Sequence, residues 1–265
     1  MLSPEPADVP IFVLCGGQGS RLGEIAAMRP KPMLDIGEKP MLLHIMSCYG
    51  RFGFRRFVLC TGHRSEVIGS YFANYAALNS DYTVDLARNT ISYHQRERLP
   101  DWEVTVAFTG TGVMTGGRLA RAAARYLGDA GHFGVTYGDG LTDADLGAEL
   151  RFHLAHDRIG TVLGIDPPSP FGQLTLHEDG TASFVEKPRQ TGQTASGGFF
   201  FFRRPFLDYL SPTDSCTLEA EPLARLSREG QLRVFRHQGY WSCVDTLRDR
   251  EEVLALWESG AAPWK

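Results

Sequence analysis

The amino-acid sequence predicts an α/β protein built on a mixed, mostly parallel central sheet flanked by helices, with small β-hairpin additions. Three observations predict it. Apolar runs of strand length at 11–15, 57–61 and 131–137 each end in a glycine-containing turn. Helix-like stretches at 40–49, 64–77 and 117–127 alternate with them, the pattern of parallel strands joined by helical crossovers. Of the 265 residues, 43% are hydrophobic and 22% charged, a composition that buries a core without help from metal or disulfide.

The first ten residues contain three prolines and no basic run, so residues 1–9 read as a loose leader and not as a signal peptide. The first strand, 11–15, runs into Gly16-Gly17. Pro40 suits the first turn of the helix that reaches about residue 49, where its missing N–H leaves no bond unmade. Strand 57–61 and helix 64–77 follow. Short extended runs at 83–86 and 91–93 around Arg88-Asn89 predict a small hairpin. Helix 117–127 leads to strand 131–137. A second hairpin is predicted where 173–177 and 182–186 flank Glu178-Asp179-Gly180. Strand 196–202 carries phenylalanines 199–202, which suit the core better than a ligand. A helix at 218–228, a strand at 232–235 and a last helix at 246–257 complete the chain. There is no internal repeat, linker or low-complexity segment, so 10–265 reads as a single domain ending in a helical segment.

Net charge is −4 and no lysine- or arginine-rich tract is present, so no nucleic-acid or membrane partner is expected. No apolar run approaches the ~18 residues of a membrane span. The five cysteines, at 15, 48, 60, 216 and 243, are odd in number and show no C-x-x-C spacing. Neither a disulfide framework nor a cysteine zinc site is expected, and a reducing, cytoplasmic setting is. Small phosphorylated ligands stay open, because they need a few basic residues in one place and not a basic protein.

Such a place exists. Leu14-Cys15-Gly16-Gly17-Gln18-Gly19-Ser20-Arg21-Leu22 puts three glycines in four positions directly after the first strand. In open α/β sheets ligands bind at that end of the strands, and successive backbone N–H groups of a glycine turn can cradle an anion. The stretch is not a G-x-x-x-x-G-K-[ST] loop, and Leu22 stands where G-x-G-x-x-G needs its third glycine. On the glycines alone a plain turn is an equal reading. Further on, Arg29-Pro30-Lys31-Pro32-Met33 braces a lysine between two prolines, which hold the segment stiff and extended. From 14 to 31, the basic residues Arg21, Arg29 and Lys31 face the single acid Glu24, a local excess that suits a polyphosphate.

The glycine block followed by Lys31-Pro32-Met33 resembles the sugar-phosphate nucleotidyltransferases. Met114-Thr115-Gly116-Gly117-Arg118, Thr136-Tyr137-Gly138-Asp139-Gly140, Glu186-Lys187-Pro188 and Asp245-Thr246-Leu247-Arg248-Asp249 resemble the glucose-1-phosphate cytidylyltransferase branch. The similarity runs over essentially 10–265. It implies a Rossmann-like nucleotidyltransferase fold and a Mg²⁺-dependent transfer from CTP to a sugar 1-phosphate, releasing pyrophosphate. The acceptor would be glucose 1-phosphate or a related sugar or cyclitol phosphate. It also implies a homo-oligomer. In that reaction the sugar phosphate attacks the α-phosphorus directly, and the sequence accordingly has no G-x-S-x-G nucleophile elbow.

The resemblance assigns roles residue by residue. Leu14, Cys15, Gly16, Gly17, Gly19 and Ser20 would line the nucleotide, with Val113 and Arg118 on its base or ribose side. Lys31 would meet the α-phosphate and Arg21 the outer phosphates, where a guanidinium fork matches phosphate oxygens. Asp139 and Asp245 would hold Mg²⁺, which takes one or two protein carboxylates and completes its shell with water and phosphate. Gly138, Glu186, Lys187 and Gly198 would bind the sugar phosphate. From the residues alone, Asp139 also suits an Asp-Gly turn, Asp245 the N-cap of the last helix, and Arg118 a helix surface. The histidines show no metal-binding spacing.

Five positions depart from the branch. Phe108, Val113, Pro170, Ser196 and Leu218 stand where it carries an aspartate, a small hydroxyl residue, an arginine, an asparagine and a tryptophan. The phosphate and metal residues are intact while those around base and sugar differ, which implies retained chemistry with altered specificity. The same transfer from dTTP or GTP is one alternative. A non-catalytic nucleotide- or sugar-binding regulator is another, though it would not need both metal carboxylates. A dinucleotide-dependent oxidoreductase is opposed by the missing third glycine.

Overall fold

Four consecutive apolar residues make the first strand, β1 (Ile11–Leu14), and all four are buried, so it has no solvent face. The computed structural model describes residues 4–19, 29–94, 100–167, 173–178, 181–185 and 194–265. The strands after β1 are β2 (Asp35–Ile36), β3 (Lys39–Pro40), β4 (Arg56–Thr61), β5 (Asp81–Asp85), β6 (Thr90–His94), β7 (Glu103–Phe108) and β8 (His132–Tyr137). The second half adds β9 (Gly140–Thr142), β10 (Gly160–Ile165), β11 (Gln173–Leu176), β12 (Ala182–Val185), β13 (Ala195–Arg203), β14 (Leu232–His237) and β15 (Trp241–Cys243).

Seven of them form one sheet in the order β14-β10-β13-β8-β1-β4-β7. Only β13 runs antiparallel to its neighbours; every other pairing is parallel. The predicted mixed, mostly parallel sheet is therefore observed. Strand alternation splits the four phenylalanines between its faces. Phe199 and Phe201 pack on Tyr49 of the helix Met41–Gly50, in the same core cluster as Trp264. Phe200 and Phe202 pack with Leu119, Ala122 and Ala123 of the helix Thr115–Tyr126.

Both predicted hairpins form, as β5–β6 and β11–β12. Other expectations are corrected. β7, β10 and the helix Leu146–Leu154 fall where the sequence reading assigns no element. β10 is buried along its whole length, and a short, mostly apolar run does not distinguish a strand from a helix segment. The helix expected over 64–77 is two pieces, Ser65–Ala73 and Tyr75–Leu78, parted at Asn74, whose side chain donates to Ser70 O at 2.8 Å. The helix expected from 218 begins at Glu221, with Pro222 in its first turn. Residues 4–9, expected to be loose, contain a 3₁₀ turn at Pro6–Asp8 and bury Val9. All five cysteines are free thiols. Among the described residues no helix is long and apolar enough to cross a membrane.

Candidate active site

β1, β4 and β8 end side by side, with Leu14 level with Cys60 on one flank and Tyr137 on the other. There the chain turns into the glycine loop. Cys15 N donates to Cys60 O at 3.0 Å, and Gly138 N donates to Leu14 O at 3.1 Å. Beneath lies Arg118, buried. Its Nη1 donates to Thr61 O (3.1 Å), Thr109 Oγ1 (2.9 Å) and Gly110 O (2.6 Å). Its Nη2 donates to Gly16 O (2.8 Å) and Thr111 O (3.3 Å). One guanidinium thus ties together the chain leaving β1, β4 and β7. A side chain at Gly16 or Gly62 would collide with it, which is why both positions are glycine. Burial lowers the Arg118 pKa, yet a guanidinium stays charged in proteins. Arg118 therefore spends its donors on main-chain carbonyls and one hydroxyl. Val113 is also buried. A β-carbon at Gly110 would sit 2.7 Å from its Cγ2, and one at Gly117 would sit 2.9 Å from its Cγ1, so it packs on these glycines.

Lys31 opens a 3₁₀ turn, Lys31–Met33, that follows the extended Pro30. Only 9% exposed, it aims Nζ at Asp139 Oδ2 (2.7 Å) and Asp245 Oδ1 (2.6 Å). The carboxylates meet because β15 pairs with β9, Cys243 opposite Gly140, and Val244 N donates to Asp139 O at 2.9 Å. A β-carbon at Gly138 would lie 2.5 Å from Pro32 Cγ, so only glycine lets the two segments approach. The N-cap of the last helix, Leu247–Glu258, is Thr246 and not Asp245. Thr246 Oγ1 accepts from Asp249 N, and Asp249 Oδ2 accepts from Thr246 N (2.7 Å) and Asp245 N (2.9 Å). That box fixes the backbone of Asp245 and leaves its carboxylate directed at Lys31. Burial works against the ammonium, but the Asp139 charge and the hydrogen bonds to Asp139 and Asp245 outweigh it, and the Lys31 pKa lies above its ordinary value.

These groups border a cleft of about 280 Å³ that Leu14, Cys15, Gly17, Gly19 and Gly138 also line. Cys243 joins the cluster, its sulfur and the two carboxylates lying within 4.8 Å of one another. Burial, then the Asp139 charge, push its thiol pKa up. The carboxylates of Asp139 and Asp245 are hard oxygen donors that lie within 4.8 Å of each other around the Lys31 ammonium, donors of the kind that Mg²⁺ takes.

A second cavity of about 320 Å³ shares Asp139 and is lined by Tyr137, Ser196, Gly198, Glu219, Trp241 and Cys243, among others. Gly198 has φ +78°, and a β-carbon there would fall 2.7 Å from the Tyr137 ring. The Tyr137 hydroxyl donates to Glu219 Oε1, and Thr115 Oγ1 donates to Glu219 Oε2 at 2.7 Å. Burial, then Glu219, hold Tyr137 protonated. Trp241 Nε1 donates to Gly197 O at 2.7 Å. Glu219, Trp241 and Cys243 are lining residues that sequence reasoning missed. Glu219 follows Leu218, one of the five departures, but its own residue type carries no signal that marks it.

The structure brings together Leu14, Cys15, Gly17, Gly19, Lys31, Gly138, Asp139 and Asp245, with Gly198 across Asp139 in the second cavity. Gly16 and Arg118 lie just beneath. Val113 is absent from the described lining of both cavities. Ser196 lines the second cavity, whereas Leu218 is fully buried in the core and Phe108 is exposed at the end of β7. Ser20, Arg21, Pro170, Glu186 and Lys187 lie outside the described residues.

Comparison with known proteins follows the same line. The sequence model of the family described as "Nucleotidyl transferase" matches residues 11–258. Over 253 residues the chain is 43% identical to glucose-1-phosphate cytidylyltransferase of Salmonella typhimurium, covering 96% of this chain and 97% of that one. It is 25% identical to the catalytic subunit beta of mannose-1-phosphate guanylyltransferase of Dictyostelium discoideum, over 93% of this chain and 64% of that one. The crystal structure of HddC from Yersinia pseudotuberculosis superposes with a TM-score of 0.65 at 21% identity, over 94% of this chain and 99% of that one, a likeness of fold.

Proposed function

This chain belongs to the nucleotidyl transferase family, and from that premise we propose that it transfers a cytidylyl group from CTP to a sugar 1-phosphate. The acceptor is glucose 1-phosphate or a related sugar or cyclitol phosphate. The observation that carries the reading is the Lys31 ammonium held between Asp139 and Asp245 at the edge of a cleft bordered by the glycine loop. The 43% identity to a glucose-1-phosphate cytidylyltransferase supports the choice of substrates.

An oxygen of the sugar phosphate attacks the α-phosphorus. The bond from that phosphorus to the bridging oxygen of the β-phosphate breaks, and pyrophosphate leaves. A phosphate monoester is largely a dianion at neutral pH, its second pKa being ~6, so no general base is required. The protein positions the two phosphates and neutralises the charge that gathers between them. Lys31 stabilises the α-phosphate oxygens in the transition state. Gly16, Gly17 and Gly19 let backbone N–H groups approach the outer phosphates, which Ser20 and Arg21 bind. Asp139 and Asp245 would hold Mg²⁺, which would supply neutralisation of phosphate charge. The sugar lies in the second cavity, over Gly198, and the family resemblance gives its hydroxyls to Glu186 and its phosphate to Lys187. Arg118 acts on the nucleotide by fixing the loop beneath it.

The test is pyrophosphate release with Mg²⁺ across CTP, dTTP, UTP, ATP and GTP, each against a panel of sugar 1-phosphates. CTP with a hexose 1-phosphate is expected to dominate. Preference for dTTP or GTP would refute the cytidylyl assignment and keep nucleotidyl transfer. No release with any pair would refute both and favour a binding protein.

A further inference from the structure

The proposed transfer makes no use of Cys243, yet the fold carries its sulfur to the two carboxylates. Cys243 stands on β15 opposite Gly140, the residue after Asp139. Asp245 N donates to Cys243 O at 3.2 Å, a three-residue turn that holds positions 243 and 245 together. Val244 N donates to Asp139 O at 2.9 Å, which ties the same turn to the other carboxylate. One oxygen of Asp139, one of Asp245 and the Cys243 sulfur therefore lie within 4.8 Å of one another, each on a half-buried residue. Among the described residues no other trio of histidine, cysteine or carboxylate side chains comes together in this way.

These donors surround a point that already attracts a cation, since Lys31 Nζ lies 2.7 Å from Asp139 Oδ2 and 2.6 Å from Asp245 Oδ1. Donor chemistry decides which metal ions suit the point. Mg²⁺ is hard, takes oxygen and leaves a sulfur alone. Zn²⁺ and the related Co²⁺ and Cd²⁺ are softer and take thiolate together with carboxylate, in sites where three protein ligands leave one position open. With metal–ligand bonds of ~2.0–2.3 Å, the donors of such an ion stand roughly 3.5 Å apart. A set spread over at most 4.8 Å closes on the ion with side-chain movements of about 1 Å.

We propose that Cys243 gives the active-site carboxylates a second metal chemistry, in which Asp139, Asp245 and the Cys243 thiolate hold a thiophilic dication of the zinc class in competition with Mg²⁺. The inference rests on the reading of Asp139 and Asp245 as dication ligands. As the metal–sulfur bond forms, the thiol proton passes to solvent, and the Lys31 ammonium gives up its place between the carboxylates. An ion held in this way keeps both carboxylates from Mg²⁺ and has a single position left for phosphate.

Titration of the reduced, substrate-free full chain with Co²⁺, followed by absorption and by melting temperature, tests this. The wild type should develop sulfur-to-cobalt charge-transfer absorption in the near ultraviolet, and a large excess of Mg²⁺ should diminish it. Cys243→Ser should lose the absorption and bind Co²⁺ about tenfold more weakly or worse, since even partners outside the ligand shell are worth that much. Cys15→Ser, at the other cysteine bordering the cleft, should keep the absorption. Lys31→Ala removes the competing ammonium and should bind Co²⁺ more tightly than the wild type. Co²⁺ that raises the melting temperature without charge-transfer absorption overturns the sulfur ligand, as does absorption that survives Cys243→Ser. Absorption that excess Mg²⁺ leaves untouched, or a Lys31→Ala chain that binds Co²⁺ no more tightly, overturns the placement between the carboxylates. The two readings fail separately. A melting temperature raised by Mg²⁺ beside absent cobalt absorption removes only the sulfur, whereas a chain stabilised by neither ion removes the carboxylate site as well.

Discussion

At the scale of single residues, Lys31 and Arg118 are both buried cations, and their partners separate their roles. Lys31 faces two carboxylates at the edge of a cleft, at 2.7 and 2.6 Å, where substrate phosphates would meet it. Losing one preorganised charge at a reacting centre costs ~10²–10³-fold in rate, so Lys31→Ala should lower kcat by about that factor. It should also leave Asp139 and Asp245 repelling each other. Added Mg²⁺ should therefore raise the melting temperature of Lys31→Ala more than that of the wild type, and equal shifts would argue against a shared ion. Arg118 faces only protein acceptors, five of them within 3.3 Å. Arg118→Met keeps much of the stem and loses every bond. It should lower the melting temperature by several degrees and raise KM for the nucleotide, leaving KM for the sugar phosphate near its wild-type value. An unchanged melting temperature would mean that Arg118 acts on the ligand and not on the loop. Val113, which stands where the branch carries a small hydroxyl residue, packs its methyl groups on Gly110 and Gly117.

At the scale of one element, the helix Leu146–Leu154 buries two titratable groups one turn apart with opposite pH signatures. Glu149 is fully buried, neither carboxyl oxygen has a hydrogen-bond partner among the described residues, and burial raises its pKa well above the ordinary value. The folded carboxyl stays neutral while the unfolded one ionises above ~4.3. Its contribution to stability is thus complete below that pH and is lost as pH rises. His153 lies 3.2 Å from His132 and 2.9 Å from Thr161 Oγ1. Burial, then His132, His156 and Arg203, push its pKa down to about 3. Here the unfolded imidazole binds its proton near pH ~6.5 and the folded one does not. Stability is therefore full above that value and falls from there towards pH 3. Urea midpoints across pH 4 to 8 should show Glu149→Gln gaining on the wild type as pH rises. His153→Gln should flatten the loss on the acid side. Parallel curves would show that neither group carries a buried titration.

At the scale of the whole molecule, two cavities meet at Asp139, one beside Lys31 and the glycine loop, the other over Gly198. A nucleotide-sugar product would span both, so CDP-glucose should raise the melting temperature more than the same concentration of glucose 1-phosphate. An equal or smaller shift would argue against a continuous site. The strand–glycine turn and the Lys31 brace were legible because each is a local device, in which turn chemistry and fixed φ angles act over a few positions, whereas the two Asp-containing blocks were legible through their resemblance to a family. β7, β10 and the helix Leu146–Leu154 were not, because their residues take their state from what packs on them. Nor were Glu219 and Trp241, which enter the second cavity from positions outside the motif blocks. The sequence by itself determined the α/β class and the core phenylalanines, which follow from local pattern and side-chain chemistry, while the roles expected of the phosphate and metal residues came from the family resemblance of their blocks. Only the tertiary structure decided what these residues meet. Asp139 and Asp245 lie 108 and 214 positions from Lys31 and converge through the pairing of β9 with β15, while Arg118 turns its charge inward under the loop. Contacts of that range depend on the register of strands distant in the chain, and no local pattern encodes them.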